Sequence, residues 1–211
     1  MTNATPLRFE ALVEIAAAPS ATRRLIAIAG APGSGKSTLA ERLVAALEAE
    51  APGRAAVLPM DGYHYDDAVL DARGLLARKG APETFDVAGF GHMLARLRRD
   101  DEAEVAVPVF DRALEISRGS ARIIPQAVRV LVVEGNYLLL DRAPWSALRA
   151  HFDLTVMVAV PEETLRARLN ARWSGFGLAP DVIRAKVEEN DLPNGRLIVA
   201  GSAVPDYVLG S

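Results

Sequence analysis

Residues 30–38 read GAPGSGKST. The apolar run LIAIA (25–29) precedes them, and the stretch LAERLVAALEAE follows from Leu39. A buried strand, a glycine-rich turn and an amphipathic helix therefore stand in sequence. The pattern is G-x-x-x-x-G-K-S, with Gly30, Gly35, Lys36 and Ser37 at its fixed positions. Glycines let successive backbone N–H groups turn inward and form an anion nest, to which the helix start adds its positive end. A lysine at this offset reaches β- and γ-phosphates, and the adjoining hydroxyl can bind Mg²⁺. Gly30, Ala31, Pro32, Gly33, Ser34, Gly35, Lys36, Ser37 and Thr38 are thus expected to cradle ATP. An ordinary strand–helix turn needs neither the lysine nor the hydroxyl. Motors, switches and kinases share such a loop, so it leaves the phosphate's destination open.

Outward from the loop, strands and helices alternate. Further strands are expected at 55–62, 128–135, 153–160 and 206–209, with 105–112 and 120–125 as a small edge hairpin turning near Gly119. Helices are expected from Thr5-Pro6 (as N-cap and first position) to Pro19, then over 36–50, 66–80, 87–99, 143–152, from Pro161 onward, and over 181–190. The expected fold is one domain over 1–211, a three-layer α/β/α arrangement on a mostly parallel sheet.

Ligands of open α/β sheets gather at the carboxyl ends of the strands. Asp61 ends the second strand in PMDGYHYD, and Glu134 ends VRVLVVEG. One such acid can hold Mg²⁺ and the other can take a proton from an attacking hydroxyl; the alternative is a helix cap. In PEETLRARLNARW, Leu165, Leu169 and Trp173 form an apolar stripe, with Arg168 and Arg172 four residues apart beside it. Those arginines can cover a γ-phosphate or form a solvated face, and 164–180 with its GFGLAP loop reads as a lid.

Composition narrows the partners. Half of the residues are apolar, 24% are charged and the net charge is −3, without a basic block. That excludes the concentrated basic surface on which duplex nucleic-acid binding depends. There are no cysteines, hence no disulfide frame or thiolate metal site, and the three histidines show no ligand spacing. No apolar run is long enough to insert in a membrane, and MTNATPLRFEAL lacks the apolar core of a secretory leader. A reducing, cytoplasmic setting is the expectation.

GAPGSGKST, DGYH, PETFD, VEGNYLL and an arginine-rich lid, in that order, resemble the phosphoribulokinase/uridine kinase/pantothenate kinase group of P-loop kinases. The resemblance spans about residues 23–209 and is strongest to a bacterial subgroup labelled fructose-transport-associated or nucleoside/nucleotide kinases. It implies the P-loop NTPase fold and γ-phosphate transfer from ATP, with Mg²⁺, to a hydroxyl of a small metabolite, a sugar first, a nucleoside or pantothenate next. It implies Asp61 as general base, Lys36 and Ser37 on phosphate and metal, and Glu134 near the metal. It also implies Asp86 on a substrate hydroxyl, Arg168 and Arg172 in the lid, and an acceptor region over about 61–125. Tyr63 and His64 are candidates to touch the acceptor, as is Arg118 (with Arg78, Lys79 and Arg112) if it carries an anion. Asn190, Asp191 and Asn194 are candidates for the nucleotide base or for a helix cap and a Pro-Asn-Gly turn. Kin of this size often form homodimers. The hairpin stretch VFDRALEISR lacks the histidine with which uridine kinases read the pyrimidine, and the extra segments of bacterial pantothenate kinases are missing. Two other classes compete with the kinase reading. A GTPase switch needs N-K-x-D, which does not occur, and DVAG (86–89) follows a loop; an acceptor-independent accessory ATPase would have no use for Asp61.

Overall fold

LIAIA lies at the centre of the sheet. In the computed structural model, which describes residues 4–210, Arg24–Gly30 (β2) is buried at all but its first position. Val130–Gly135 (β6) flanks it on one side and Leu154–Ala159 (β7) on the other, both parallel to it. Ala55–Pro59 (β3) pairs with β6, Tyr207–Gly210 (β8) with β7, and Thr5–Pro6 (β1) with β8. The order is β1-β8-β7-β2-β6-β3, and every pair is parallel.

Strand alternation builds two apolar layers. Ile26, Ile28, Val130 and Val132 face Phe9–Ala17 (α1) and Lys36–Glu50 (α2), through Leu12, Leu39 and Leu43. Leu25, Ala27, Leu131 and Val133 face the other way, toward Val87–Arg99 (α4) and its Phe90, Leu94 and Leu97. The expected three-layer α/β/α fold is therefore present. A third cluster joins Glu162–Gly175 (α5) to the helical segment after it, through Leu165, Leu169, Ile183 and Val187.

Several expectations on single elements fail. Thr5 and Pro6 do not start a helix; they add a short strand beside Tyr207 and Val208, a distant pairing that local capping signals do not report. The strand from Ala55 stops at Pro59, and Met60–Tyr63 forms a 3-10 turn that carries Asp61. Residues 66–80 contain only Asp67–Ala72 (α3) and a 3-10 turn, and Trp145–His151 is also 3-10. The expected small hairpin is present: Glu104–Asp111 (β4) and Ile116–Pro125 (β5) pair antiparallel as a sheet of their own. Its bend lies before Gly119: the Asp111 carboxylate accepts from the Ala113 and Leu114 N–H groups at 3.1 and 3.2 Å, and Glu115 takes φ 55°. The ENDLPNG stretch is no turn. Pro180–Ala185 (α6), a π turn at Lys186–Asp191 and Leu192–Gly201 (α7) run on continuously, and the wider π turn accommodates Pro193, which has no N–H to give.

The register decides what shares the carboxyl edge. Glu134 pairs with Ile28 on one side and Pro59 on the other, so Gly30, Asp61 and Glu134 emerge together. Gly135 permits this closeness, because a Cβ there would lie 2.5 Å from the Met60 Cβ. Gly135→Ala is expected to destabilise by about 1–3 kcal/mol, as overpacking does, and to lower kcat by moving the Asp61 turn. Gly175→Ala meets nothing within 4 Å and should leave both unchanged. Chemical denaturation and steady-state rates check the pair.

Candidate active site

Gly33 and Gly35 hold φ values of 78° and 88°, in the region glycine enters at least cost, and bend the loop around an open centre. No side chain caps α2, whose first residue is Lys36, so its leading N–H groups have no side-chain partner and suit an anion. Ser34 is buried within the loop, its Oγ without a partner.

Ser37 Oγ donates to Glu134 Oε2 at 3.0 Å. Burial pushes the Glu134 carboxyl up and the Lys36 ammonium down, while their mutual attraction opposes both shifts. A buried carboxylate beside a hydroxyl at the phosphate loop is a hard-oxygen pair that suits Mg²⁺, which takes few protein ligands and completes its shell with water and phosphate oxygens. No cluster of three or more His, Cys, Asp or Glu residues fit to hold a metal occurs among the described residues.

Beside the loop, a cleft is lined by Pro32, Lys36, Asp61, His64, Asn136 and Arg172, among others. Asp61 Oδ2 accepts from Arg112 Nη2 at 2.6 Å, and Arg112 arrives from the bend between β4 and β5. The hairpin is also fastened there by the Ser117 hydroxyl, which donates to the Gly62 carbonyl. His64 stacks on Phe85 at 3.9 Å and Phe110 at 4.9 Å. Its Nδ1 meets the Asp61 carbonyl oxygen at 3.0 Å; a carbonyl only accepts, so Nδ1 carries the proton. Burial lowers the His64 pKa and keeps the ring neutral, with Nε2 an acceptor.

The two lid arginines part company. Arg172 faces the cleft, its pKa lowered by burial and then by Arg112. Arg168, one turn away, reaches the Ser34 carbonyl at 3.3 Å and lines a separate groove with Thr38, Arg42 and Leu209 on the loop's outer side. Arg166 is paired with Glu162 and Glu188 at 3.0 and 2.8 Å and serves the lid's own structure. Trp173 Nε1 donates to Asp191 at 2.7 Å, where burial raises the carboxyl's pKa. Asn190 and Asp191 line the same cleft as Asp61, not the outer groove.

Three expected acceptor residues do not line this cleft. Tyr63 is buried against Phe90 at 4.6 Å in the sheet-facing core, and burial pushes its phenol up. Asp86 caps α4, accepting from Gly89 N at 2.9 Å; the carboxylate that ends PETFD thus closes a helix start. Arg118 points along the hairpin to Asp111 at 3.4 Å. Missed from sequence were Phe110, Glu115, Trp173 and Lys186 as cleft residues, and Asn136, whose Oδ1 is buried without a partner. Asn136 comes two residues after Glu134, and that strand-end position was its available signal.

The fold and the phosphate loop define a nucleotide-binding protein of the P-loop class. A family model described as "AAA domain" matches residues 26–175. The chain is 35% identical over 189 residues to "Uncharacterized protein YggC" of Escherichia coli (strain K12), covering 89% of this chain and 77% of that protein. It is 33% identical over 197 residues to "Putative uridine kinase C227.14" of Schizosaccharomyces pombe, covering 89% and 83%. The crystal structure of a "putative fructose transport system kinase" from Silicibacter sp. TM1040 superposes with TM-score 0.88 at 42% identity, over 97% of this chain and 99% of that one. The chain belongs to the P-loop kinase family, the family of the uridine and pantothenate kinases. Membership implies ATP as the nucleotide.

Trp173 lines the cleft against Arg172 and Lys186, whereas Trp145 is buried in the core. ATP·Mg²⁺ is expected to change tryptophan emission in the wild type and not in Trp173→Phe, as a fluorescence titration of both will show.

Proposed function

We propose that this protein transfers the γ-phosphate of ATP, with Mg²⁺, to a hydroxyl of a small metabolite. The observation that carries the reading is convergence: Lys36, Asp61 and Arg172 line one cleft, and the Ser37–Glu134 pair lies next to Lys36 at the phosphate loop. A sugar is the first candidate acceptor, supported by the name of the 42%-identical Silicibacter protein. A nucleoside is the second, supported by the name of the fission-yeast relative; the hairpin's lack of a histidine speaks against uridine itself.

The triphosphate occupies residues 30–38, and its nucleoside extends into the outer groove of Arg168, Arg42, Thr38 and Leu209. The acceptor enters from the opposite side, over His64 and Phe110. Asp61 orients the acceptor hydroxyl and takes its proton as the oxygen attacks the γ-phosphorus; the bond to the β–γ bridging oxygen breaks and ADP leaves. Lys36 and Arg172 hold charge that builds on the transferring group. Ser37 and Glu134 would hold Mg²⁺, which would supply positive charge to the phosphates. Most of the acceleration comes from positioning and charge neutralisation.

ADP release across a panel of sugars, nucleosides, pantothenate and glycerate tests the reading; stimulation by one acceptor is the expected result. Steady hydrolysis with no stimulation by any would replace it with an acceptor-independent ATPase. Lys36→Ala is expected to lose at least 10²-fold in kcat/KM, roughly 3 kcal/mol of transition-state stabilisation. Asp61→Asn should bind ATP by calorimetry yet transfer no phosphate, and normal turnover would remove Asp61 from the base role.

A further inference from the structure

The end of the sheet away from the phosphate loop carries a row of charge of its own. The Arg129 N–H donates to the Arg54 carbonyl at 2.7 Å and the Arg24 N–H to the Arg129 carbonyl at 2.8 Å, so three arginines stand side by side where β3, β6 and β2 begin. Like charges facing one another across neighbouring strands destabilise a sheet. With Val130 and with Ala18, Pro19 and Ser20 of the α1–β2 connection, these arginines line a pocket of about 270 Å³ whose wall holds no Asp or Glu among the described residues. β2 is seven residues long, so about 20 Å separates this pocket from the phosphate loop.

We infer that this pocket is a second anion site, in which Arg24, Arg54 and Arg129 take the phosphate group of a small molecule. The inference goes beyond the kinase reading and stands without it.

Counter-charge is what the row lacks. Asp100 reaches it, but divides its oxygens between Arg129 and the buried Arg23. Burial lowers the Arg23 pKa, and repulsion from Arg129 lowers it further against the pull of Asp100. Asp153 lies in the field of Arg24, yet both its oxygens are held by Arg98, at 2.7 and 2.8 Å. Glu48, beside Arg54, turns both oxygens to the N–H groups of Gly53 and Ala55. Neither Arg24 nor Arg54 has an ion-pair partner among the described residues. Each spends one nitrogen on a carbonyl at the end of α1: Arg24 Nη1 donates to Ile15 at 2.5 Å, and Arg54 Nη2 to Ala17 at 2.6 Å. Arg129 Nη2 donates likewise to the Ala21 carbonyl at 3.1 Å. Those bonds orient the guanidiniums, and Nε with the second Nη of Arg24 and Arg54 stay unspent. A guanidinium held in direction and short of an anion is prepared for bidentate phosphate binding. The pocket's volume lies near the lower limit of small-ligand pockets, roughly 300–1,000 Å³, which suits a small phosphate and not a macromolecule.

Isothermal calorimetry at low ionic strength tests this with inorganic phosphate, fructose 6-phosphate and the dicarboxylate malate. Lys36→Ala is the host, so that the phosphate loop contributes least. Inorganic phosphate or the ester should bind with a Kd of about 1 mM or tighter, and more tightly than malate; whichever phosphate binds tighter names the source. Adding Arg54→Gln should weaken that binding about tenfold or more, the scale of one charge-assisted contact. Ser20 is exposed and lines the same pocket. Ser20→Asp keeps every arginine and its carbonyl bonds, supplies a tethered carboxylate, and should weaken phosphate binding by a similar factor; it decides the matter should Arg54→Gln fail to fold. In the wild-type background both variants should leave the affinity for ATP unchanged. Phosphate binding that survives in either folded variant, malate bound as tightly as the phosphates, no phosphate bound at that level, or ATP affinity lost with the pocket overturns the inference and leaves these arginines as ties for the α1–β2 connection.

Discussion

One row of paired residues sets the site: Ile28 beside Glu134 beside Pro59. Parallel strands in this register end level, so the segments leaving them gather at one edge. After β2 comes the phosphate loop, after β3 the turn with Asp61, and within the end of β6 the Glu134 carboxylate. A shift of one residue in β6 would turn Glu134 to the opposite face, away from Ser37. The apolar layers hold the register, because the same alternation that places Glu134 buries Val132 on its face and Val133 on the other. The chemistry of the edge is therefore underwritten by the packing of the centre.

The edge is electrostatically costly. Lys36 and Glu134 both lose hydration, and each is pushed toward its neutral form. Ser34 Oγ and Asn136 Oδ1 lie buried nearby without protein partners. Such frustration suits a site built for a polyanion and a divalent cation: its charges are arranged for the ligand, not for each other. The opposite end of the sheet is the contrast. There the buried Arg23 donates to the carbonyls of Val128 and Leu97, both at 2.8 Å, and meets Asp100 at 2.6 Å.

Locality governs how much of this was legible in the sequence. The phosphate loop is contiguous, and its strand and helix announce themselves by period, so residues 24–50 were readable in full. Asp61 and Glu134 were found because strand ends converge by topology, even though the 3-10 turn under Asp61 was not foreseen. Arg112 and Asp86 mark where this reasoning stops. Both are charged residues beside a motif, and nothing local separates a guanidinium that crosses to Asp61 from the Arg118 that stays on Asp111. The hairpin's bend decides it. Glycine is the usual mark of a turn, which pointed to Gly119, whereas an aspartate side chain and a positive-φ Glu115 make the bend.

Asp86 presented the same acid-after-loop pattern as Asp61, yet its Oδ1 accepts from the Gly89 N–H and caps a helix. The difference between a site acid and a cap lies in which backbone donors reach it first. Arg168 and Arg172 add the last case. Helical spacing places them one turn apart, but Arg168 reaches the Ser34 carbonyl and lines the outer groove, whereas Arg172 lines the cleft with Asp61. Spacing along an element fixes direction; only the element packed against it decides what that direction meets.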